Sequence, residues 1–358
     1  MSPSVSPRTA YLHVGASKTG TSSLQRGLFG SAAALEQQGV GVPLGGRPAH
    51  VEQVLRPLGW QTSRGFVDPV DPRALSRLSR RLRRHEGERL LLTCEDLCEA
   101  DQARIQILED VLGSAGVRPH VVLTLRGLAS VVPSEWQQFL KHRMDLSYPT
   151  FLERVRDRKG RWARHFWQRQ DVVEICERWS EVVGADRLDV IVTPSRSRDP
   201  EGLYRLFGAV VGFDPATMAW PQRDVNASWG YVEAEVYRRV NAALDGRLRN
   251  YERAYQPAVR WPLVKGVLPR GASARIPLPP EHLPWVQETA EAHVAFLEGS
   301  GIRVHGDAKD LLPGPDLAAP LPEVSEEQVA AAAVEALASF AVHAHRRDRH
   351  GPTPHQDD

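Results

Sequence analysis

The chain has 358 residues, 42% of them hydrophobic and 25% charged, with a formal net charge of +1. That is enough chain to bury a substantial core, and the charge balance shows no global bias toward nucleic acid or a membrane surface, so partners must be sought in local sites. Three cysteines, Cys94, Cys98 and Cys176, are too few and too unevenly placed for a disulfide framework, and no second Cys/His pair completes a zinc site with Cys94 and Cys98.

Along the chain, the opening "MSPSVSPRTA" is polar and Pro/Ser-rich, without the apolar stretch of a signal peptide, and residues 1–9 are expected to be flexible. No run approaches the roughly 18 apolar residues that would span a bilayer, so a soluble, cytoplasmic protein is expected. Strand-length apolar runs follow at Ala10 to Gly15, Arg89 to Cys94, His120 to Leu125 and Arg187 to Pro194. Between them, Ser22 to Gln38, Arg73 to Arg84, Ala129 to Arg143 and Asp171 to Val183 carry helical periodicity. Near-continuous hydrophobic strands alternating with helices predict an α/β fold, a parallel central sheet covered on both faces. Past residue 200 the pattern turns helical, with a Pro- and Arg-rich loop expected from Arg260 to Pro284. The expected organisation is one α/β domain over residues 10–313, a linker and C-terminal helix over 314–345 opened by a Ser325/Gln328 capping box, and a disordered tail over 346–358.

The stretch that carries chemistry is "YLHVGASKTGTSSLQ", Tyr11 to Gln25. A glycine-bearing turn between a strand and a helix start aims backbone N–H groups and the positive end of the helix dipole at an anion. Gly15 and Gly20 permit the turn, Lys18 supplies a point charge, and Thr19, Thr21, Ser22 and Ser23 add hydroxyls. In the nucleoside-triphosphatase loop G-x-x-x-x-G-K-[ST] the lysine follows the second glycine; here Lys18 precedes Gly20, and no clear apolar strand ending in an unpaired Asp follows. A metabolite kinase is therefore disfavoured.

"HVGASKTGTSSLQ" resembles the 5′-phosphosulfate loop of sulfotransferases, G-x-P-K-[ST]-G-T-[ST]-[ST]-L-Q in bacterial members, with Ser17 standing where proline is usual. The resemblance implies a P-loop-type sulfotransferase fold with a helical C-terminal extension. It also implies 3′-phosphoadenosine-5′-phosphosulfate (PAPS) as donor, no metal, and Lys18 near the bridging oxygen. A donor with a separate 3′-phosphate needs a second anion site, which the family forms from an Arg at a later strand end and a Ser eight residues on. "HVVLTLRGLASVVPSEW" has Arg126 and Ser134 at that spacing, but with Gly127 where family members often have Asp or another polar residue. The resemblance runs through "FWQRQDVVEICERWSEVVGADRLDVIVTP", "NASWGYVEAEVYRRVN" and "VHGDAKDLLP", in the order of an actinobacterial sulfotransferase-like family.

Sulfuryl transfer needs a base for the acceptor hydroxyl. Glu95 in "LLLTCEDLC", at a strand's C-terminal end, is the first candidate, its pKa expected to be raised by an apolar wall. His13 is the rival, though a histidine inside a parallel strand is more often a buried core residue. Lys141, His142 and Arg143 are candidates for an anionic group or for a plain helix C-terminus. Asn226 and Ser228 match the family's N-x-S segment ahead of a helix, with a helix cap as their plain reading, and the resemblance implies a mobile basic loop of Lys265, Gly266 and Arg270 closing over the 3′-phosphate. The acceptor is expected to be a small molecule, lipid or glycan, for which Trp60, Trp136, Trp162, Trp167 and Trp229 are candidate lining residues, with core packing as the plainer reading. The competing function is a sulfotransferase-like nucleotide-binding protein without turnover.

Overall fold

A computed structural model describes residues 8–62, 64–195, 198–221, 228–269, 273–314 and 317–350. Asn226, Arg270, the first seven residues and residues 351–358 lie outside them. The chain divides into two compact units. One comprises Met1–Leu128, Trp167–Asp224 and Gln287–Pro313; the other comprises Ala129–Phe166, Val225–Val286 and Gly314–Asp358.

The first unit is built on a parallel six-stranded sheet. Its strands are β1 (Arg8–Gly15), β2 (Val40–Gly41), β5 (Arg89–Thr93), β6 (Val117–Leu125), β7 (Leu188–Val192) and β8 (Arg303–His305), ordered β2-β5-β1-β6-β7-β8. A separate two-residue hairpin pairs β3 (Trp60–Gln61) with β4 (Gly65–Phe66). Alternation along β1 sends Ala10, Leu12 and Val14 into one apolar layer with residues of the helices Pro72–Arg84, Gln102–Ser114 and Val172–Val183. Leu91, Val122 and Ile191 point the other way, onto the helices Thr21–Gly30 and Gly202–Val211. Burial on both faces is why the four long strands read as continuous hydrophobic runs, and all four are present within two or three residues of their expected ends.

Two local expectations are corrected, and two short strands are added. The single helix expected over Ser22 to Gln38 breaks at Ser31 (φ −117°), whose hydroxyl accepts a hydrogen bond from Ala219 N at 2.9 Å. The edge strands β2 and β8, of two and three residues, are too short to leave a periodic signal. The expected loop after Arg260 instead continues a helical stretch: wide turns run over Tyr251–Arg260 and Leu263–Val267, with Tyr255 N donating to Asn250 O five residues back at 3.0 Å.

The second unit is helical, and its aromatic rings pack on one another. Trp136 lies against Tyr148, and Phe139 against both Phe151 and Trp162, at centroid separations of 5.1, 5.9 and 5.3 Å. Trp136, Trp162 and Trp229 are buried here, as Trp60 and Trp167 are in the first unit, so all five candidate tryptophans are packing residues. The helix Tyr231–Leu244 is capped by Gly230 and not by Ser228, which is exposed. Lys141 and Arg143 lie over the rings of Trp229 and Tyr255, and His142 stacks on Tyr251. The helix Glu326–His350 starts with the expected reciprocal cap, Ser325 N donating to Gln328 Oε1 at 2.9 Å and Gln328 N to Ser325 Oγ at 3.1 Å.

One buried amide holds this unit's turn together. Asn241 Nδ2 donates to the carbonyls of Leu140 and Met144, both at 2.8 Å, and its Oδ1 accepts from Tyr255 Oη at 2.6 Å. Asn241→Leu leaves three buried polar groups without this partner and is expected to cost on the order of 3 kcal/mol, read as a lower urea midpoint at unchanged slope.

Candidate active site

β1 is the central strand through which the site is built. It ends at Gly15 (φ +127°), where a Cβ would come within 2.7 Å of Glu95 O and 3.2 Å of Cys98 Cβ, so the backbone there packs too closely for any side chain. The chain then turns through Ala16 to Thr19, with Lys18 in the left-handed region (φ +65°), and Gly20 (φ +100°) opens the Thr21–Gly30 helix without a capping side chain. The helix N-terminus with its positive dipole end thus follows directly on Lys18.

Beneath the loop lies a line of buried polar groups. His13 Nδ1 is 2.7 Å from Thr93 Oγ1 on β5, and Nε2 is 3.2 Å from Thr124 Oγ1 on β6. Thr124 Oγ1 donates to Gly15 O at 2.9 Å and pairs with Thr19 Oγ1 at 2.6 Å, while Gln25 Nε2 donates to Thr93 Oγ1 at 3.2 Å. Assigning a proton to His13 Nε2 suits the ring and both strand hydroxyls: Gln25 donates to Thr93, Thr93 to Nδ1, Nε2–H to Thr124, and Thr124 to Gly15 O, while the single Thr19 hydroxyl proton is shared between Ala16 O and Thr124 Oγ1. His13 is therefore a core residue that supports the loop. Burial lowers its pKa to about 4, so at neutral pH it carries no charge.

The Glu95–Glu99 turn follows β5 and faces the loop. Thr21 Oγ1 donates to Glu95 Oε2, and Arg47 Nη2 donates to Glu95 Oε1 at 3.1 Å, with the Glu95 side chain 13% exposed and that of Arg47 37%. Burial pushes the Glu95 carboxyl up, but Arg47, the Thr21 hydroxyl, Arg169 and Lys18 together outweigh it, and its pKa lies below the ordinary value of 4.5. The expected upward shift is thus reversed: the wall beside Glu95 is cationic. Asp96 moves the other way, raised chiefly by burial although Arg169 Nη1 bonds it at 2.9 Å. Cys94 and Cys98 are buried thiols, their pKa values raised by burial, and Cys98 Sγ donates to Glu95 O at 3.0 Å.

The structure brings Gly15, Ser17, Lys18, Thr19, Gly20, Thr21, Ser22, Ser23, His13 and Glu95 into one region of the first unit. It also shows where their hydroxyls go. Thr19 Oγ1 turns inward to Ala16 O at 2.8 Å, Thr21 goes to Glu95, and Ser23 Oγ meets Tyr204 Oη at 2.6 Å. Ser17 Oγ accepts from Arg169 Nε at 3.1 Å and Gln170 Nε2 at 2.9 Å. What the loop offers an anion is chiefly backbone N–H, the helix dipole and the Lys18 ammonium. Arg126 is exposed just past the end of β6 in the first unit; Ser134 belongs to the second unit, its hydroxyl donating to Ser130 O at 3.3 Å. A Cβ on Gly127 would lie 3.0 Å from Leu311 O, a physical reason for glycine after Arg126. Lys265 lies in the wide turn Leu263–Val267, its side chain outside the described residues.

Arg47, Arg169, Gln170 and Tyr204 join the site without a signal in the sequence that marks them. Arg169 and Gln170 stand in "FWQRQD", a segment that carried resemblance but no chemical pattern of its own.

No family model matches the chain, and no curated protein does. Among solved structures, a sulfotransferase from Alicyclobacillus acidocaldarius is similar to it at 18% identity and a TM-score of 0.41, over 62% of this chain and 87% of that one.

Two titrations follow from the site. Because folding lowers the His13 pKa from 6.5 to about 4, its contribution to stability is complete above pH 6.5 and is lost as pH falls toward 4. Between pH 6.5 and about 5 this is roughly 2 kcal/mol, and His13→Gln should remove that part of the slope in urea unfolding at stepped pH. Arg47→Ala should raise the Glu95 carboxyl above its wild-type value, read by carbon NMR of the side-chain carboxyl; an unmoved titration would mean that Thr21, Arg169 and Lys18 suffice.

Proposed function

We propose that the protein is a sulfotransferase that takes a sulfuryl group from PAPS and passes it to a hydroxyl or amine of a small-molecule, lipid or glycan acceptor. The observation that carries this reading is Lys18 itself: a lysine in the left-handed conformation between Gly15 and Gly20, at the carboxyl end of the central strand and the start of a helix. Its position before the second glycine sets it apart from the triphosphatase pattern.

The donor supplies an activated sulfuryl group; the other contributions are the chain's own. The loop N–H groups and helix dipole hold the phosphosulfate, and Lys18 balances charge as it develops on the bridging oxygen when the sulfur–oxygen bond breaks. Glu95, ionised throughout the neutral range, takes the proton from the acceptor oxygen as that oxygen bonds to sulfur. By the sequence resemblance, Arg126, past the end of β6, is the first unit's contribution to holding the 3′-phosphate. The reading without turnover draws on one feature, the engagement of Glu95 by both Arg47 and Thr21, and is separated by the same measurements.

Calorimetry with adenosine 3′,5′-bisphosphate and with 5′-AMP tests the donor: the bisphosphate should bind at least about tenfold tighter, and Arg126→Ala should erase the difference. Equal affinities in the wild type would overturn the assignment. Lys18→Ala should abolish transfer. Glu95→Gln should keep bisphosphate affinity while turnover falls on the order of 10²-fold or more; undiminished turnover would place the base elsewhere.

A further inference from the structure

Lys18 holds a backbone conformation that an L-residue with a Cβ pays roughly 1–2 kcal/mol to adopt. Such a conformation persists only where the residues beside it are fixed. On the C-terminal side, Thr19 is held by Ala16 O and the Thr124 hydroxyl. On the N-terminal side, Ser17 is 2% exposed and is held twice from the end of the helix Gly160–Gln170: Gln170 Nε2 donates to Ser17 O at 3.1 Å and to its Oγ at 2.9 Å, and Arg169 Nε donates to the same Oγ at 3.1 Å. The guanidinium does not stop there. Arg169 Nη1 also reaches Asp96 Oδ1 at 2.9 Å and Glu99 Oε1 at 2.5 Å, in the turn that carries Glu95. Arg178 adds a bond from Nη2 to Cys98 O at 2.8 Å in that turn.

We infer that Arg169 and Gln170 are positioning residues that lock the lysine loop, through Ser17, to the Glu95-bearing turn. The lock sets both the left-handed state of Lys18 and its placement relative to Glu95. A guanidinium suits this task because its planar fork bonds the loop through Nε and the turn through Nη1 at once, where a lysine ammonium would act as a single point. The inference deepens the function proposed above and rests on the loop being the anion cradle. Its geometric half, the locking of Lys18, stands on the hydrogen bonds alone.

Replacing Arg169 would leave Asp96 and Glu99 buried beside each other without its charge, so the test uses Ser17→Ala and Gln170→Met in the full chain. Hydrogen exchange of the segment 15–21, melting temperature, and affinity for adenosine 3′,5′-bisphosphate are measured on each. Both variants should exchange in that segment at least tenfold faster and bind the bisphosphate about tenfold more weakly, with melting within a few degrees of wild type. Unchanged exchange and affinity in Ser17→Ala would overturn the lock. If Gln170→Met fails to fold, Ser17→Ala, which deletes one oxygen, carries the test alone. If the wild type does not bind the bisphosphate, the donor reading falls, and the exchange result still decides the lock: faster exchange upholds it and unchanged exchange ends it.

Discussion

The candidate site depends on one buried hydroxyl. Thr124 on β6 accepts from His13 on the central strand, donates to Gly15 O at the point where that strand ends, and meets Thr19 across the loop. Strand, loop and neighbouring strand are joined at a single oxygen in the buried interior, where each bond is stronger than in water and each loss dearer. The arrangement requires a neutral imidazole. A second proton on His13 would face the Thr93 hydroxyl, which would then have to give up its own donation and turn away. The histidine that looks like a candidate base from its place beside the loop is better understood as the fixed end of this line.

That line also explains why the loop presents so few free side chains. The hydroxyls of Thr19, Thr21, Ser23 and Ser17 are each hydrogen-bonded to a protein partner, so the loop's shape is determined before any ligand arrives. Pre-set donors need little reorganisation on binding, which is where an anion site gains over a flexible one. The hydroxyl-rich composition that suggests many ligand contacts serves mostly to hold the backbone, and on the function proposed above that backbone would meet the anion with its N–H groups.

Much of this was legible in the sequence, and the failures have physical causes. The four long strands carry their burial in their composition, and the loop is a local pattern of glycines, lysine and hydroxyls, so both can be read from consecutive residues. β2 and β8 cannot, because two or three residues hold no period. Glu95 is legible because it ends a strand, but the direction of its pKa is not, because the charges that set it come from distant parts of the chain. Arg47 reaches it from a segment 48 residues away and Arg169 from one 74 residues away. Arginine side chains act over such distances and leave no mark at the position they serve, which is also why Arg169 and Gln170 went unrecognised beneath Ser17.

The same arginines bear on how Glu95 would act. A carboxylate held low is fully ionised but a weak proton acceptor, and base strength and readiness pull in opposite directions. Lys18 is among the charges that lower it. On the function proposed above, an anion seated on the loop would neutralise part of that field, and the Glu95 carboxyl would become more basic when the donor is in place. Removing the Thr21 hydrogen bond would act in the same direction, since a hydroxyl that turns toward an anion no longer stabilises the carboxylate. On that reading Glu95 and the loop are joined electrostatically as well as through Arg169: the field that lowers the Glu95 carboxyl is the field that a bound phosphosulfate would weaken.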